Sequence, residues 1–288
     1  MGRCFFILAL FPLQYGHAQS FDYLPKSNSG ETITHTYYTL SYIEEHEQSQ
    51  WVAYELIAEN AKGGTKRTNS FRKDPSVSSG SASADDYKNS GYDRGHLAPA
   101  GDMAFSELAM RESFYMSNMS PQDPSFNRGV WKKLEEQVRT WAVENENIYV
   151  VTGPVFTDSL QTIGPGKITV PEFFYKIVFD NTSPEIKIIA FILPNKKGEK
   201  LLNEYVVAVD SIEILTKIDF FPALADSLEN ALEKSASLAG WNFTDLKKDS
   251  SGSEIQKAPV TQCVGTTDSG ERCKRKTTNA GGRCSKHQ

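Results

Sequence analysis

The run Gly91-Tyr92-Asp93-Arg94-Gly95-His96-Leu97-Ala98-Pro99-Ala100 places an aspartate, an arginine and a histidine almost side by side. Downstream follow Ser117-Asn118-Met119-Ser120-Pro121-Gln122, then Phe126-Asn127-Arg128-Gly129-Val130-Trp131, with Glu135 just beyond. These residue types suit cleavage of a phosphodiester with a hard metal ion. Such a hydrolysis must deprotonate a water, stabilise a transition state that gains negative charge, and stabilise a leaving alkoxide. His96 is the natural general base, because an unperturbed imidazole pKa of about 6.5 lies closest to neutrality among the side chains. Arg94 offers a permanently charged planar fork for phosphate oxygens. Gly95 is expected to let backbone approach a ligand, and Pro99 stiffens the exit from the motif.

Asn127 is the expected direct metal ligand. A neutral amide oxygen suits Mg²⁺, or Mn²⁺ in its place, which keeps most of its waters and takes few protein oxygens. Trp131, Leu134, Val138, Trp141 and Ala142 recur at helical spacing, which puts Asn127 at a helix start. Glu135, eight residues on, would lie roughly 12 Å further along a straight helix at ~1.5 Å per residue. It is therefore expected to reach a metal-bound water or the leaving-group side, not the ion.

These motifs resemble the DNA/RNA non-specific endonucleases, a family of ββα-metal (His-Me finger) nucleases, over about residues 37–237. The resemblance implies an α+β fold with a central antiparallel sheet flanked by helices. It implies His96 as base, Asn127 as Mg²⁺ ligand, Glu135 as helper of the metal water or transition state, Asn118 as support beside His96, and Arg94 on phosphate. The family also carries an upstream arginine that stabilises the transition state. Arg67-Thr68-Asn69-Ser70-Phe71-Arg72-Lys73-Asp74-Pro75 matches that stretch, with Arg67 the choice and Arg72 the competitor. DNA and RNA are the implied substrates, cleaved to leave 5′-phosphate ends; a homodimer and a protein inhibitor stay open as partners.

Each residue also has a plainer reading. His35 and His46 read as ordinary core or surface histidines. Asn127 could be a helix N-cap, worth ~1 kcal/mol. Glu135 and Glu136, between Lys132, Lys133 and Arg139, could be a solvated helix face with ion pairs four apart. Arg67, Arg72 and Lys73 could be loop charges. Two rival functions accompany the nuclease: a nucleic-acid capture protein without catalysis, and a phosphodiesterase acting on another substrate.

The ends of the 288-residue chain differ from its body. Residues 1–18 read as a signal peptide: Arg3, an apolar run from Cys4 to Leu13 too short to span a bilayer, then Gly16-His17-Ala18. Export to the periplasm or outside the cell is the resulting expectation, with no membrane span in the mature chain. Cys263, Cys273 and Cys284 then remain, all within the last 26 residues, with His287 three positions after Cys284. Three thiols cannot pair completely within one chain. With the imidazole they form a donor set for tetrahedral Zn²⁺, in a stretch too poor in large apolar residues to build a core. One disulfide plus a thiol in an oxidising compartment is the competing arrangement. From Lys257 onward seven Lys or Arg face only Asp268 and Glu271, which leaves residues 19–256 at a net charge of −11. A basic tail beside an acidic body suits an added nucleic-acid contact.

The elements that must position the chemistry follow from periodicity. Aromatic and β-branched residues at 36–43 and 51–57 predict a hairpin, and residues 62–89 predict a long polar loop around a substrate groove. The His96 region predicts a short β ribbon, residues 127–144 a helix, and residues 148–152, 173–179 and 187–193 buried strands. Asp210 is expected to cap a short helix, and residues 223–235 to form a longer one with Leu224, Leu228 and Leu232 as its core stripe. The expected organisation is signal peptide 1–18, nuclease domain 19–244, linker 245–258 and metal-binding tail 259–288.

Overall fold

The computed structural model describes residues 21–157, 160–182 and 185–244, together with positions 261, 262, 273, 276 and 277. The segments expected to be a signal peptide and a linker, together with Cys263, Cys284 and His287, lie outside the described residues; Cys273 lies within them and is buried. The chain divides into two compact units, one covering the chain to Gly198 and Val206–Ser237, the other covering Glu199–Tyr205 and the chain from Leu238. Among the described residues no helix is long and apolar enough to cross a membrane.

In the first unit the strands are β1 (Glu31–Thr34), β2 (Thr39–Ile43), β3 (Gln48–Ile57), β4 (Asp93–His96), β5 (Met119–Gln122), β6 (Asn147–Val155), β7 (Thr162–Ile163), β8 (Ile168–Thr169), β9 (Phe173–Asp180), β10 (Lys187–Pro194) and β11 (Val206–Val207). Seven of them form one sheet in the order β1-β2-β3-β6-β9-β10-β11, every neighbouring pair antiparallel. The helices are α1 (Ala58–Ala61), α2 (Glu107–Ser113), α3 (Pro124–Phe126), α4 (Lys132–Glu144), α5 (Val209–Thr216) and α6 (Asp226–Glu233). The mixed architecture with a central antiparallel sheet is the α+β fold the sequence implied.

Strand alternation assigns the two sheet faces. On one face Tyr175, Ile177 and Phe179 of β9 join Trp51, Ala53 and Val151, and receive Val209 and Ile212 of α5 and the turn residues Phe220 and Phe221. On the other, Phe174 stacks on Phe126 at 5.4 Å and lies 5.7 Å from Trp131, while Trp141 of α4 stacks on Phe191 of β10 at 6.1 Å. The sheet is thus covered by α4 on one side and by α5 and α6 on the other.

Several expected boundaries are corrected. A further strand, β1, starts at Glu31 ahead of the expected hairpin and pairs with β2. The helix expected over 127–144 is broken: α3 ends at Phe126, a wide turn runs over Asn127–Trp131 with Gly129 at φ −107° and ψ −112°, and α4 starts at Lys132. Asp210 does not cap α5 but sits in its first turn; the N-cap position is Ala208, which offers no capping side chain. The helix expected over 223–235 is α6, Asp226–Glu233, shorter than expected, and Leu228 is absent from the core cluster that Leu224 and Leu232 flank. The sequence reading missed α2, whose N-cap Ser106 Oγ accepts from the Ala109 N–H at 3.0 Å.

Trp141 is fully buried where α4 meets the sheet. Trp141→Ala is expected to lower unfolding free energy by about 3–5 kcal/mol, measured by urea denaturation; a loss below about 1 kcal/mol would mean that α4 does not depend on this contact.

Candidate active site

The β4–β5 ribbon pairs His96 with Met119, Gly95 with Ser120 and Asp93 with Gln122. It is tied to β3 of the sheet, where Ser49 Oγ donates to the Ser117 carbonyl at 2.7 Å and Ser120 Oγ donates to Gln48 Oε1 at 2.5 Å. Asn118, fully buried just before β5, grips the chain as it leaves β4. Its Oδ1 accepts from the Ala98 N–H at 2.8 Å, and its Nδ2 donates to the carbonyls of Ala98 (3.0 Å) and Ser113 (2.9 Å). The Leu97 N–H donates to the Asn118 carbonyl at 3.0 Å. Asn118 therefore fixes the backbone beside His96 and does not line the cleft.

Gly95 has a different reason from the one expected. A Cβ there would come within 2.1 Å of the Gln122 side chain across the ribbon, so the space belongs to internal packing and not to a ligand.

His96 is 7% exposed. Its ring stands edge-on to Phe114 at 4.9 Å and lies 5.9 Å from Phe71, and its Nε2 is buried without a hydrogen-bond partner. Burial first, and then the charge of Arg67, push its pKa down to about 3. The imidazole is neutral at pH 7 and can accept a proton. Phe71 and Phe114 form an aromatic floor: the Arg94 guanidinium lies 4.3 Å from the Phe71 centroid and that of Arg67 5.0 Å from Phe114.

The cleft above this floor has a volume of about 380 Å³. It is lined by His96 and Asn127, by Arg67, Arg94, Arg128, Lys132 and Arg139, and by a single acid, Glu135. Arg128 is neutralised by Asp93 at 2.6 Å, Arg139 by Asp102 at 2.7 Å, and Lys132 faces Glu136 at 3.7 Å. Among the described residues Arg67 and Arg94 have no carboxylate partner. Arg72 lies elsewhere: its guanidinium stacks 4.5 Å from Tyr115, donates to the Ser70 and Arg111 carbonyls, and lines a separate cavity.

Asn127 is not the N-cap considered above. Asp123 caps α3, its Oδ1 accepting from the N–H groups of Ser125 at 2.8 Å and Phe126 at 3.3 Å. Asn127 Nδ2 instead donates to Asp93 Oδ2 at 2.8 Å, and Asp93 also takes both Arg128 donors at 2.8 and 2.6 Å. With the nitrogen so held, oxygen is the amide atom left to meet a cation. The break at Gly129 means that Asn127 and Glu135 are not separated along one straight helix, and both line the cleft. Glu135 also departs from the solvated-face reading, since it is Glu136 that pairs with Lys132.

Burial raises the proton affinity of Glu135, with the charges of Lys176, Arg139 and Arg67 opposing and Asp102 reinforcing. Lys176 went unread in the sequence. It is fully buried in β9, its Nζ 4.7 Å from the Trp131 ring and without a hydrogen-bond partner, and burial lowers its pKa. The available signal was a lysine inside the strand-like run Phe173-Phe174-Tyr175-Lys176-Ile177-Val178-Phe179. Asp102, fully buried and accepting from Tyr54 Oη at 2.7 Å as well as from Arg139, was also missed; nothing in its neighbourhood in the chain marks it.

The sequence profile of the family described as DNA/RNA non-specific endonuclease matches residues 19–227. The chain is 37% identical over 218 residues to the mitochondrial nuclease EXOG of Danio rerio, covering 70% of this chain and 63% of that protein. It is 33% identical over 200 residues to mitochondrial endonuclease G of Homo sapiens, covering 64% of this chain and 67% of that one. A crystal structure of the EndoG/EndoGI complex, which concerns EndoG inhibition, contains a chain superposing with a TM-score of 0.63 at 30% identity, over 67% of this chain and 86% of that chain. The chain thus spans less than two thirds of the zebrafish protein's length. The mitochondrial relatives also correct the expected periplasmic or extracellular location. With organellar leaders, which are amphipathic and arginine-rich, residues 1–18 share only their lack of acidic residues.

The His96 environment has a consequence for acid stability. Above about pH 6.5 the ring is neutral both folded and unfolded. As pH falls from there towards about 3 the unfolded chain binds a proton that the folded chain does not, so stability is lost over that window. His96→Gln is expected to lose less stability between pH 7 and 4 than the unsubstituted chain, measured as urea midpoints; parallel curves would show that the folded ring protonates freely.

Proposed function

The chain belongs to the DNA/RNA non-specific endonuclease family, and from that premise we propose that it is a divalent-metal-dependent endonuclease hydrolysing phosphodiester bonds in both DNA and RNA. The observation that carries this reading is the cleft itself. In a chain of net charge −5, it gathers a buried neutral histidine, an amide oxygen left available, and two arginines without carboxylate partners. A surface acidic overall but basic at one cleft concentrates phosphate there.

The donor set fits a hard cation: the Asn127 oxygen would hold Mg²⁺ or Mn²⁺, with water completing its shell. When bound, the cation supplies charge neutralisation at the scissile phosphate and leaving oxygen. His96 takes a proton from the attacking water as its oxygen bonds to phosphorus. The bond from phosphorus to the 3′-oxygen breaks, which leaves a 5′-phosphate. Arg67 and Arg94, held over Phe114 and Phe71, meet the phosphate oxygens through guanidinium donors. Glu135, with its raised proton affinity, serves the leaving-group side. Asn118 holds the backbone that aims His96.

On sequence grounds alone, Cys263, Cys273, Cys284 and His287 are proposed to bind one structural Zn²⁺ in the basic tail. The purified chain is expected to contain about one zinc by elemental analysis, and Cys273→Ser to lose it; zinc near zero in the unsubstituted chain refutes the site.

Cleavage of closed-circular plasmid and of single-stranded RNA tests the main reading. Both substrates should be lost with Mg²⁺ and preserved with chelator. His96→Ala should slow cleavage by about 10²–10⁴-fold, with its circular dichroism unchanged. Full activity in that variant would refute the mechanism, and retained DNA binding without cleavage in the unsubstituted chain would favour a capture protein.

A further inference from the structure

On the sheet face opposite α4, Asp210 and Glu213 lie one turn apart on α5, and Glu233 ends α6. One carboxylate oxygen from each lies within 4.8 Å of the other two. Three carboxylates so close repel one another, and among the described residues no Lys, Arg or His forms an ion pair with any of them. Glu213 uses one oxygen to accept from the Phe220 N–H at 2.9 Å.

Glu233 is only 8% exposed, its Oε1 is buried with no hydrogen-bond partner among the described residues, and its carboxylate faces the other two acids. Glu229, one turn earlier on α6, also buries an unpartnered Oε1. A buried acid without a donor costs free energy unless a cation or a proton satisfies it. In the absence of a cation, burial first and then Glu213, Glu229, Asp210 and Asp219 raise the pKa of Glu233 to about 8.

We propose that Asp210, Glu213 and Glu233 form a second divalent-cation site, distinct from the cleft and of the Ca²⁺ type, which ties α5 to α6. All donors are oxygens, which selects hard cations. Ca²⁺ takes about six to eight oxygens, several carboxylates among them, whereas Mg²⁺ keeps most of its waters and is held by one or two carboxylates. Three carboxylates gathered within 4.8 Å of one another suit the former. Water would complete the shell.

The test uses the full chain carrying Asn127→Ala, so that the cation proposed for the cleft does not contribute, and titrates CaCl₂ by calorimetry and thermal unfolding at pH 7. The expected result is about one Ca²⁺ per chain and a rise in Tm of several degrees. Adding Glu233→Gln should weaken Ca²⁺ binding at least tenfold while leaving metal-free stability about equal, because at pH 7 the metal-free acid is already largely protonated and the amide replaces one neutral group by another. Asp210→Asn, at a more exposed ligand, should weaken binding in the same direction and serves if the first variant fails to fold. No Ca²⁺ response in the Asn127→Ala chain, or a response unchanged by both substitutions, overturns the site. An equal response to Mg²⁺ overturns its Ca²⁺ character. Neither readout needs cleavage, so failure here and failure of the nuclease reading are separable.

Discussion

The buried amide of Asn118 is the contact on which the cleft geometry depends. It satisfies two backbone groups of Ala98 and one of Ser113, and thereby locks the exit of β4 to the end of α2. Groups so buried cannot exchange those bonds for water, and losing a partner costs the desolvation of each. The consequence passes outward in steps. Ala98 fixed means His96 fixed; the end of α2 fixed means that Phe114, the next residue, is fixed beneath the His96 ring and the Arg67 guanidinium. Asp93 performs the complementary task at the other end of β4, joining the ribbon to the turn before α4 through Asn127 and Arg128. The latter pair is largely exposed on the arginine side, so its value is orientation more than stability.

Charge is distributed with the same division of labour. Arg128 and Arg139 are engaged by Asp93 and Asp102, while Arg67 and Arg94 rest on aromatic rings with their charge available. Beneath them Lys176 is buried against Trp131 without a hydrogen bond, opposite in charge to Glu135. Burying such groups disfavours their charged forms, which is why the proton affinity of Glu135 rises and that of Lys176 falls. A fold selected for stability alone gains little from such burial; a site that must hold charge against a phosphate gains a preorganised field. The two sheet faces carry this unequally: under α5 and α6 lies the apolar cluster built on Trp51, Tyr175 and Phe179, and the acids Asp210, Glu213 and Glu233 gather on the two helices that cover it.

The sequence by itself determined the fold class and the residues worth asking about. Period-two runs marked β3, β6, β9 and β10, because burial on a pleated strand writes itself into alternation or into continuous apolar stretches. The short motif around His96 carried the site, because its chemistry depends on residue type and those residues are close in the chain. What was misread shares one cause. Gly95 looked like room for a ligand and proved to be room for Gln122, a partner on another strand. Asn127 looked like a cap, yet the chain placed Asp123 there. Lys176 and Asp102 acquire meaning only from Trp131, Glu135 and Arg139, which reach them from other elements. The choice between Arg67 and Arg72 is likewise one of position: five residues apart on one loop, they face different cavities. Local chemistry and periodicity are properties of neighbours along the chain, and the sequence determines them; burial, the partners of a charge and the side from which a side chain enters a cleft are properties of neighbours in space, and only the tertiary structure decides them.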